Sequence, residues 1–483
     1  MSLSMWLRSP ALRRGIALSA VVLATGGLVL HRSSASALPA LGSTFTGGFV
    51  ANGKNSATFS GPGVHGAVSL SHTQVLAGQP TSVFAEVRVG ADRGRGEARE
   101  RAPIAMAVVI DTSGSMSGEK IADAKKSVLR LLEDMRDSDR IAVVTYSDSA
   151  EVIQGLASVG EVRSQLKERI QSLRVGGGTN IPSGLERGLE VLRASGHDRV
   201  ERLVLVSDGL DGTRVQAESL ARQAFSSGVT VSSLGVGVDF DEAYMGAIAT
   251  NGHGNFAFVN DGSSIATFLR RELEETASTT VRDAKVRLRL PDGVRFVGAT
   301  GADASFDGED VVLSLGSLFS GDERRVVVEL QTSSVRAGSS FGPLATSASW
   351  RLVDGSGLSE AKAPGLSLLA TTDGAAVESG KDGAVFASAM SVLASRRQIE
   401  AAEAYSKGDL KKADALAAEN VRTLRAAAAA APRPAAASLE KQIAEVEGAQ
   451  RGFRAFSPDS SGGKAAAKSV FAKEQSNAAR SVY

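Results

Sequence analysis

The sequence predicts an α/β protein: a doubly wound, mostly parallel sheet inserted in a β-sandwich, followed by a C-terminal α-helical region. Three observations carry this expectation. Between about residues 103 and 278, continuous apolar runs of strand length alternate with amphipathic helical stretches, the pattern of a parallel sheet covered on both faces. On either side of that unit, residues alternate apolar and polar with period two, the mark of antiparallel strands with one buried face. From about Asp382 the pattern becomes helical, with a break at Gly408 and Asp409 placed as an N-cap.

Composition narrows the function classes. The 483 residues are 43% hydrophobic and 22% charged, which is ordinary for a soluble globular protein. A formal charge of +1 argues against a nucleic-acid binder working through a basic face. The chain has no cysteine, which excludes disulfides, zinc thiolate sites, thiol catalysis and a lipidated N-terminal cysteine.

Taken in order, residues 1–37 read as a signal peptide. Arg8, Arg13 and Arg14 precede an apolar run from about Gly15 to Leu30, and Ala35-Ser36-Ala37 offers a cleavage site. The run is short for a membrane span, which needs about 20 apolar residues, so membrane attachment is expected only if the segment stays uncleaved. Removing its four arginines takes the formal charge from +1 to −3. Export to the periplasm, the cell surface or the medium follows, by either the Sec or the twin-arginine route. Residues 38–63, rich in Gly, Ser and Thr, read as a flexible linker.

Residues 64–102 hold two alternating runs, Gly66–His72 and Ser82–Val89, with turn chemistry at Ala77-Gly-Gln-Pro80. Two strands cannot make a stable sheet, so their partners are expected in 279–353. There Val286–Leu290 and Val294–Val297 read as a hairpin around Pro291-Asp-Gly293, followed by strands at Asp310–Leu315, Glu323–Gln331 and Ala345–Leu352. Hence the insertion. Residues 354–381 read as a connector, 382–452 as helical and 453–483 as a polar tail compatible with disorder. Within the helical part, Ala401–Ala413 resembles a tetratricopeptide-type hairpin, but one hairpin is too few for a repeat array.

The chemistry concentrates at strand ends. The buried run Ile104–Asp111 stops at Asp111-Thr-Ser113-Gly-Ser115. Two further polar segments, Gly178-Thr179-Asn180 and Ser207-Asp208-Gly209, follow a Gly-rich loop and the fourth strand of the unit. In a doubly wound sheet the strand order reverses near the first strand and opens a crevice at the carboxyl ends; if the fourth strand lies beside the first, both carboxylates meet there. Two carboxylates and three hydroxyls would then converge there, an all-oxygen set suited to Mg2+, or to Mn2+ or Ca2+, and unsuited to zinc or copper.

These three segments make the unit 103–278 resemble a von Willebrand factor type A (VWA) domain, a Rossmann-like fold. They match its metal-ion-dependent adhesion site, with Asp111, Ser113, Ser115, Thr179 and Asp208 filling all five positions. Gly235-Val-Gly-Val-Asp239 and Gly252–Val259 resemble the closing segments of bacterial members, and the sandwich-framed layout is similar to inter-α-trypsin inhibitor heavy chains. The resemblance implies that Ser113 and Ser115 bind the metal directly, and Thr179 directly or through water. It also implies that Asp111 and Asp208 hold coordinated waters, or that one of them ligates. A partner protein offering Asp or Glu then completes the coordination. That is adhesion or protein binding with no bond made or broken, so no enzyme activity is expected.

Other candidates are weaker. Gly114-x-x-x-Gly118-Glu-Lys120 is one residue short of a phosphate loop and lacks the following Ser or Thr. His197 and His253 sit in Gly-rich loops and are expected to face solvent. Asp148 and Asp211, just past strand ends, are expected as loop caps. A different class of function remains as the alternative: an accessory subunit of an envelope enzyme, chelatase-like assembly or secretion machine. Genes for an adjacent AAA-type ATPase would favour it. The sequence leaves the partner, the cation, the oligomeric state and the role of the helical C-terminus open.

Overall fold

The computed structural model describes residues 55–93, 102–196, 199–209, 211–259 and 262–479. The signal peptide read at 1–37, most of the linker read at 38–63, His197 and the end of the tail lie outside them.

The central unit is built on β5 (Ile104–Asp111), β6 (Arg140–Tyr146), β7 (Ala150–Ser158), β8 (Val200–Ser207), β9 (Val229–Val236) and β10 (His253–Val259). Their order in the sheet is β10-β9-β8-β5-β6-β7, and every neighbouring pair is parallel except β6 with β7. β5 is buried from end to end because both faces are covered. Ile104, Met106, Val108 and Ile110 pack with α1 (Glu119–Asp134), α2 (Val159–Ser172) and α6 (Gly262–Ala277), while Ala105, Ala107 and Val109 pack with α3 (Ile181–Leu192), α4 (Arg214–Ser226) and α5 (Glu242–Asn251). Helical spacing explains the covering: Ile121, Ala124, Val128, Leu131 and Leu132 form one buried stripe on α1. Each of the larger side chains, Ile, Val or Leu, contributes about 1.5–3 kcal/mol when fully buried.

The flanking strands form two sheets. One has the order β1-β2-β4-β15-β12, from Ser56–Gly61, Val64–Leu70, Ser82–Ala91, Glu323–Thr332 and Val294–Thr300. The other is β13-β14-β11-β16-β17-β3, from Asp303–Asp307, Asp310–Phe319, Thr279–Arg289, Ser340–Leu352, Leu358–Thr371 and Gln74–Leu76. β4 pairs antiparallel with β15 from Ser82 opposite Gln331 to Gly90 opposite Glu323. Strands before and after the central unit thus share one sheet, and the unit is an insertion between them. Val83, Ala85, Val87 and Val89 face the sandwich core with Val286, Leu313, Val326 and Trp350.

Four expectations about the elements need correction. β11 and β12 are not a hairpin: they lie in opposite sheets, and the turn at Pro291-Asp-Gly293 carries the chain across the sandwich. The supposed connector 354–381 contains β17, paired along β16 and, in parallel, with β3. Its inward residues Leu366, Leu368 and Ala370 are buried while the intervening ones face water, so the Gly- and Ser-rich surroundings hid a half-buried strand. β1 falls within the supposed linker, where Ala57 and Phe59 enter the core. The tail is helical over most of its length, as described next.

The C-terminal helices are α7 (Gly374–Ser379), α8 (Gly383–Ser406), α9 (Leu410–Ala430), α10 (Arg433–Ala455) and α11 (Ser461–Ala479). Asp409 caps α9 as expected, Asp382 caps α8, and Gly408 adopts the left-handed φ of 81° that ends α8. α8 covers the outer face of the β4–β15 sheet, where Arg325 donates to Ser388 Oγ at 2.9 Å and Arg396 pairs with Glu329 at 2.9 Å. α11 lies on the central unit: Lys468 pairs with Glu242 under the Phe240 ring, Phe471 meets Phe256 edge-on at 5.9 Å, and Gln475 donates to Gly246 O at 2.6 Å. No helix among the described residues is long and apolar enough to cross a membrane.

His253 does not face solvent. It begins β10 with a φ of 52°, and its ring stacks on Phe225 with centroids 3.6 Å apart. Burial, helped by the Arg324 charge, pushes its pKa down to about 4. Between about pH 4 and 6.5 the unfolded chain therefore binds the extra proton, so stability is lost as pH falls through this window, by up to about 3 kcal/mol from this group. Urea denaturation at a series of pH values is expected to show that slope. His253→Asn, which tolerates positive φ, should flatten it while lowering stability at pH 7.

Candidate functional site

β5 releases the chain at Asp111. The Ser113 N–H donates to Asp111 Oδ1 at 2.8 Å, a local turn that folds the loop back over the strand end. It sets the Ser113 and Ser115 hydroxyls 3.0 Å apart. β8 runs parallel beside β5 with Ile110 opposite Val206, so Ser207-Asp208-Gly209 emerges next to Asp111. Across the gap the Ser207 hydroxyl donates to Asp111 Oδ2 at 2.7 Å, and the Ser115 hydroxyl donates to Asp208 Oδ1 at 2.7 Å.

Thr179 arrives by a loop that several bonds hold down. Gly176 N–H donates to Thr112 O at 2.8 Å and Gly114 N–H to Gly177 O at 3.1 Å. Asp148 accepts from Gly178 N–H at 3.0 Å, Asp211 from Ile181 N–H at 2.7 Å, and Asn180 caps α3 through Ser183 N–H. The Thr179 side chain lies directly on Gly209: a β-carbon added there would sit 2.6 Å from Thr179 Cγ2, 2.8 Å from its hydroxyl and 3.1 Å from Asp111 Oδ2. Glycine at 209 is what lets Thr179 and Asp111 approach the same point.

The structure therefore brings Asp111, Ser113, Ser115, Thr179 and Asp208 together in one crevice. Asp148 and Asp211 are loop caps, as their position predicts. Three neighbours escaped the sequence reading. Ser207 and Tyr146 both donate to Asp111 Oδ2, Tyr146 at 3.3 Å from the end of β6. Lys120, in the first turn of α1, donates to Asp208 Oδ2. Ser207 carried a signal, as a hydroxyl ending the apolar run Leu203–Val206; Lys120 did not, since the first turn of a helix does not show where a long side chain ends.

Electrostatics set the character of the crevice. Burial raises the Asp111 pKa; hydrogen bonds from Ser113 and Ser207 oppose the rise and the nearby Asp208 charge adds to it. Among the described residues no cationic side chain bonds to Asp111, whereas Asp208, its side chain fully buried, has the Lys120 ammonium. Two buried carboxylates share one positive charge, which leaves the crevice electronegative. The donor set, all oxygen with two carboxylates and three hydroxyls, fits a hard divalent cation, and Asp208 already accepts one positive group, the Lys120 ammonium. No group of three or more His, Cys, Asp or Glu placed to hold a metal occurs among the described residues. Beside the crevice, next to the Thr112–Gly176 contact, opens a polar cleft of about 640 Å³ lined by Ser147, Ser149, Glu151, Arg169 and Arg174.

Fold and site together define a class. Residues 106–271 match the model of the von Willebrand factor type A domain, and the chain carries such a domain. Among its relatives, the uncharacterized protein YfbK of Escherichia coli is 31% identical over 191 residues, 38% of this chain and 33% of YfbK. Inter-alpha-trypsin inhibitor heavy chain H3 of Rattus norvegicus is 27% identical over 229 residues, 44% of this chain and 25% of its own. This chain thus spans a third or less of the length of either. A solved von Willebrand factor type A protein from Catenulispora acidiphila superposes with a TM-score of 0.63 at 17% identity, over 84% of this chain and 91% of the other. That likeness of fold extends well beyond the inserted domain.

Removing a loop cap should loosen the approach of Thr179 without touching the five oxygen-bearing side chains. Asp211→Ala leaves the Ile181 N–H without its acceptor and is expected to cost about 1–2 kcal/mol. Amide hydrogen exchange should rise at residues 176–181 and stay unchanged in β9.

Proposed function

We propose that this protein is an exported, non-catalytic module that binds a partner protein through a divalent cation held at the crevice. The observation that carries the reading is the convergence of the five side chains, with Ser115 bonded to Asp208 and Thr179 laid on Gly209 beside Asp111. Ser113, Ser115 and Thr179 would supply hydroxyl oxygens to Mg2+, Mn2+ or Ca2+, and Asp111 and Asp208 the charge, directly or through water. When bound, such an ion offers Lewis acidity to an incoming carboxylate, and with few charged ligands of its own it retains that acidity.

Binding rather than catalysis is supported by the hydrogen bonds. Asp111 already accepts from Ser113 N–H, Ser207 and Tyr146, and Asp208 from Ser115 and Lys120, so neither carboxylate stands ready as a general base. A partner offering Asp or Glu suits this site, and its flanking residues would meet the polar cleft. The arginine-bearing, apolar N-terminal segment favours an extracytoplasmic setting.

The test is a pull-down from envelope extract in Mg2+. Wild type should capture a partner, while EDTA or Asp208→Ala should reduce capture by about tenfold or more with the circular dichroism spectrum retained. Equal capture by the variant, or in EDTA, would overturn the reading.

A further inference from the structure

Lys120 occupies a place that needs explanation. It lies in the first turn of α1, which begins at Glu119 after Gly118. A cation there meets the positive end of the helix dipole, an unfavourable position for an exposed lysine. Its side chain does not turn to water. It runs past the backbone of Gly237, where an added β-carbon would lie 3.1 Å from Lys120 Cε, and ends on Asp208 Oδ2. The Asp208 side chain is fully buried, whereas that of Lys120 remains 29% exposed. Of the pair, only the lysine can leave toward solvent, and its flexible stem allows it to.

Resting on the reading of the crevice as a divalent-cation site, we propose that Lys120 is the resident counter-ion of Asp208 and competes with the divalent cation for it. Without the cation, the ammonium neutralises a carboxylate that burial would otherwise leave unpaired. With the cation, two positive charges would face the same carboxylate at close range, and the ammonium swings out. Crevice charge supports the exchange: two carboxylates and one ammonium sum to −1, and withdrawal of the ammonium gives the −2 that matches a divalent ion. Lys120 thereby raises the cation concentration at which the site loads, and it disfavours monovalent ions, which bring too little charge to displace it.

The experiment is calorimetric titration of Mn2+ alone into the full chain, for wild type, Lys120→Gln, Lys120→Met and Lys120→Arg. The glutamine variant keeps a donor for Asp208 and the methionine variant keeps the volume, so loss of fold in one leaves the other. Both neutral variants are expected to bind Mn2+ at least tenfold more tightly than wild type, and the arginine variant no more tightly than wild type. Thermal unfolding should agree, with a larger Mn2+-induced rise in Tm for the neutral variants. If wild type binds Mn2+ and the neutral variants bind equally or more weakly, the role of Lys120 is overturned and the cation site stands. Tightening by arginine equal to that by glutamine would also overturn it, by showing that charge is irrelevant. No binding by any of the four chains would overturn both the role of Lys120 and the cation site.

Discussion

The parallel pairing of β8 on β5 is the constraint on which the site depends. Because side chains alternate along a strand, a slip of one residue would turn every side chain of β8 to the opposite face. That slip is costly at every position. Val204 and Val206 belong to the core shared with α1, α2 and α6, while Leu203 and Leu205 belong to the core shared with α3, α4 and α5. Packing of these side chains on both faces therefore fixes the register in which Ser207 meets Asp111 and Asp208 meets Ser115. Placement of the polar cluster follows from the burial of groups that never touch it.

A second layer of constraint is local. Asp111 orders its own loop through the Ser113 N–H, and Asp148 and Asp211 order the loop of Thr179. These are short-range bonds between carboxylates and backbone N–H groups, and they need no cation. A crevice organised in this way is preformed, so little conformational entropy remains to be lost when something enters it. The desolvation that raises the Asp111 pKa is the counterpart of that order: charge is held where water is scarce.

Much of this was legible in the sequence, and the reasons differ by region. The parallel unit declared itself because strands buried on both faces are continuous apolar runs, such as Ile104–Ile110, and because the spacing of Asp-x-Ser-x-Ser is local. The convergence of Thr179 and Asp208 was legible only through topology, since their separation in sequence means nothing until β8 lies beside β5. What escaped was half-buried or long-range. β17 was missed because the Gly- and Ser-rich stretch around it reads as a connector, the crossing between β11 and β12 because Pro291-Asp-Gly293 is equally good as a hairpin turn, and the contact of Lys120 because side-chain reach is invisible in a pattern. His253 was misplaced because a Gly-rich neighbourhood usually signals exposure, yet here its ring stacks on Phe225.

The docking of α11 gives the architecture one more property. Its Phe471 and Lys468 occupy a face formed by Phe240, Glu242 and Phe256, so the inserted domain is finished by residues some two hundred positions further along the chain. Its boundaries in sequence are not its boundaries in packing. A gene fragment ending near residue 278 would encode every strand of the sheet and every oxygen of the crevice, yet would leave aromatic surface bare and a glutamate without its lysine. The stretch that matches the domain family is therefore not, in this chain, the whole of the packed unit.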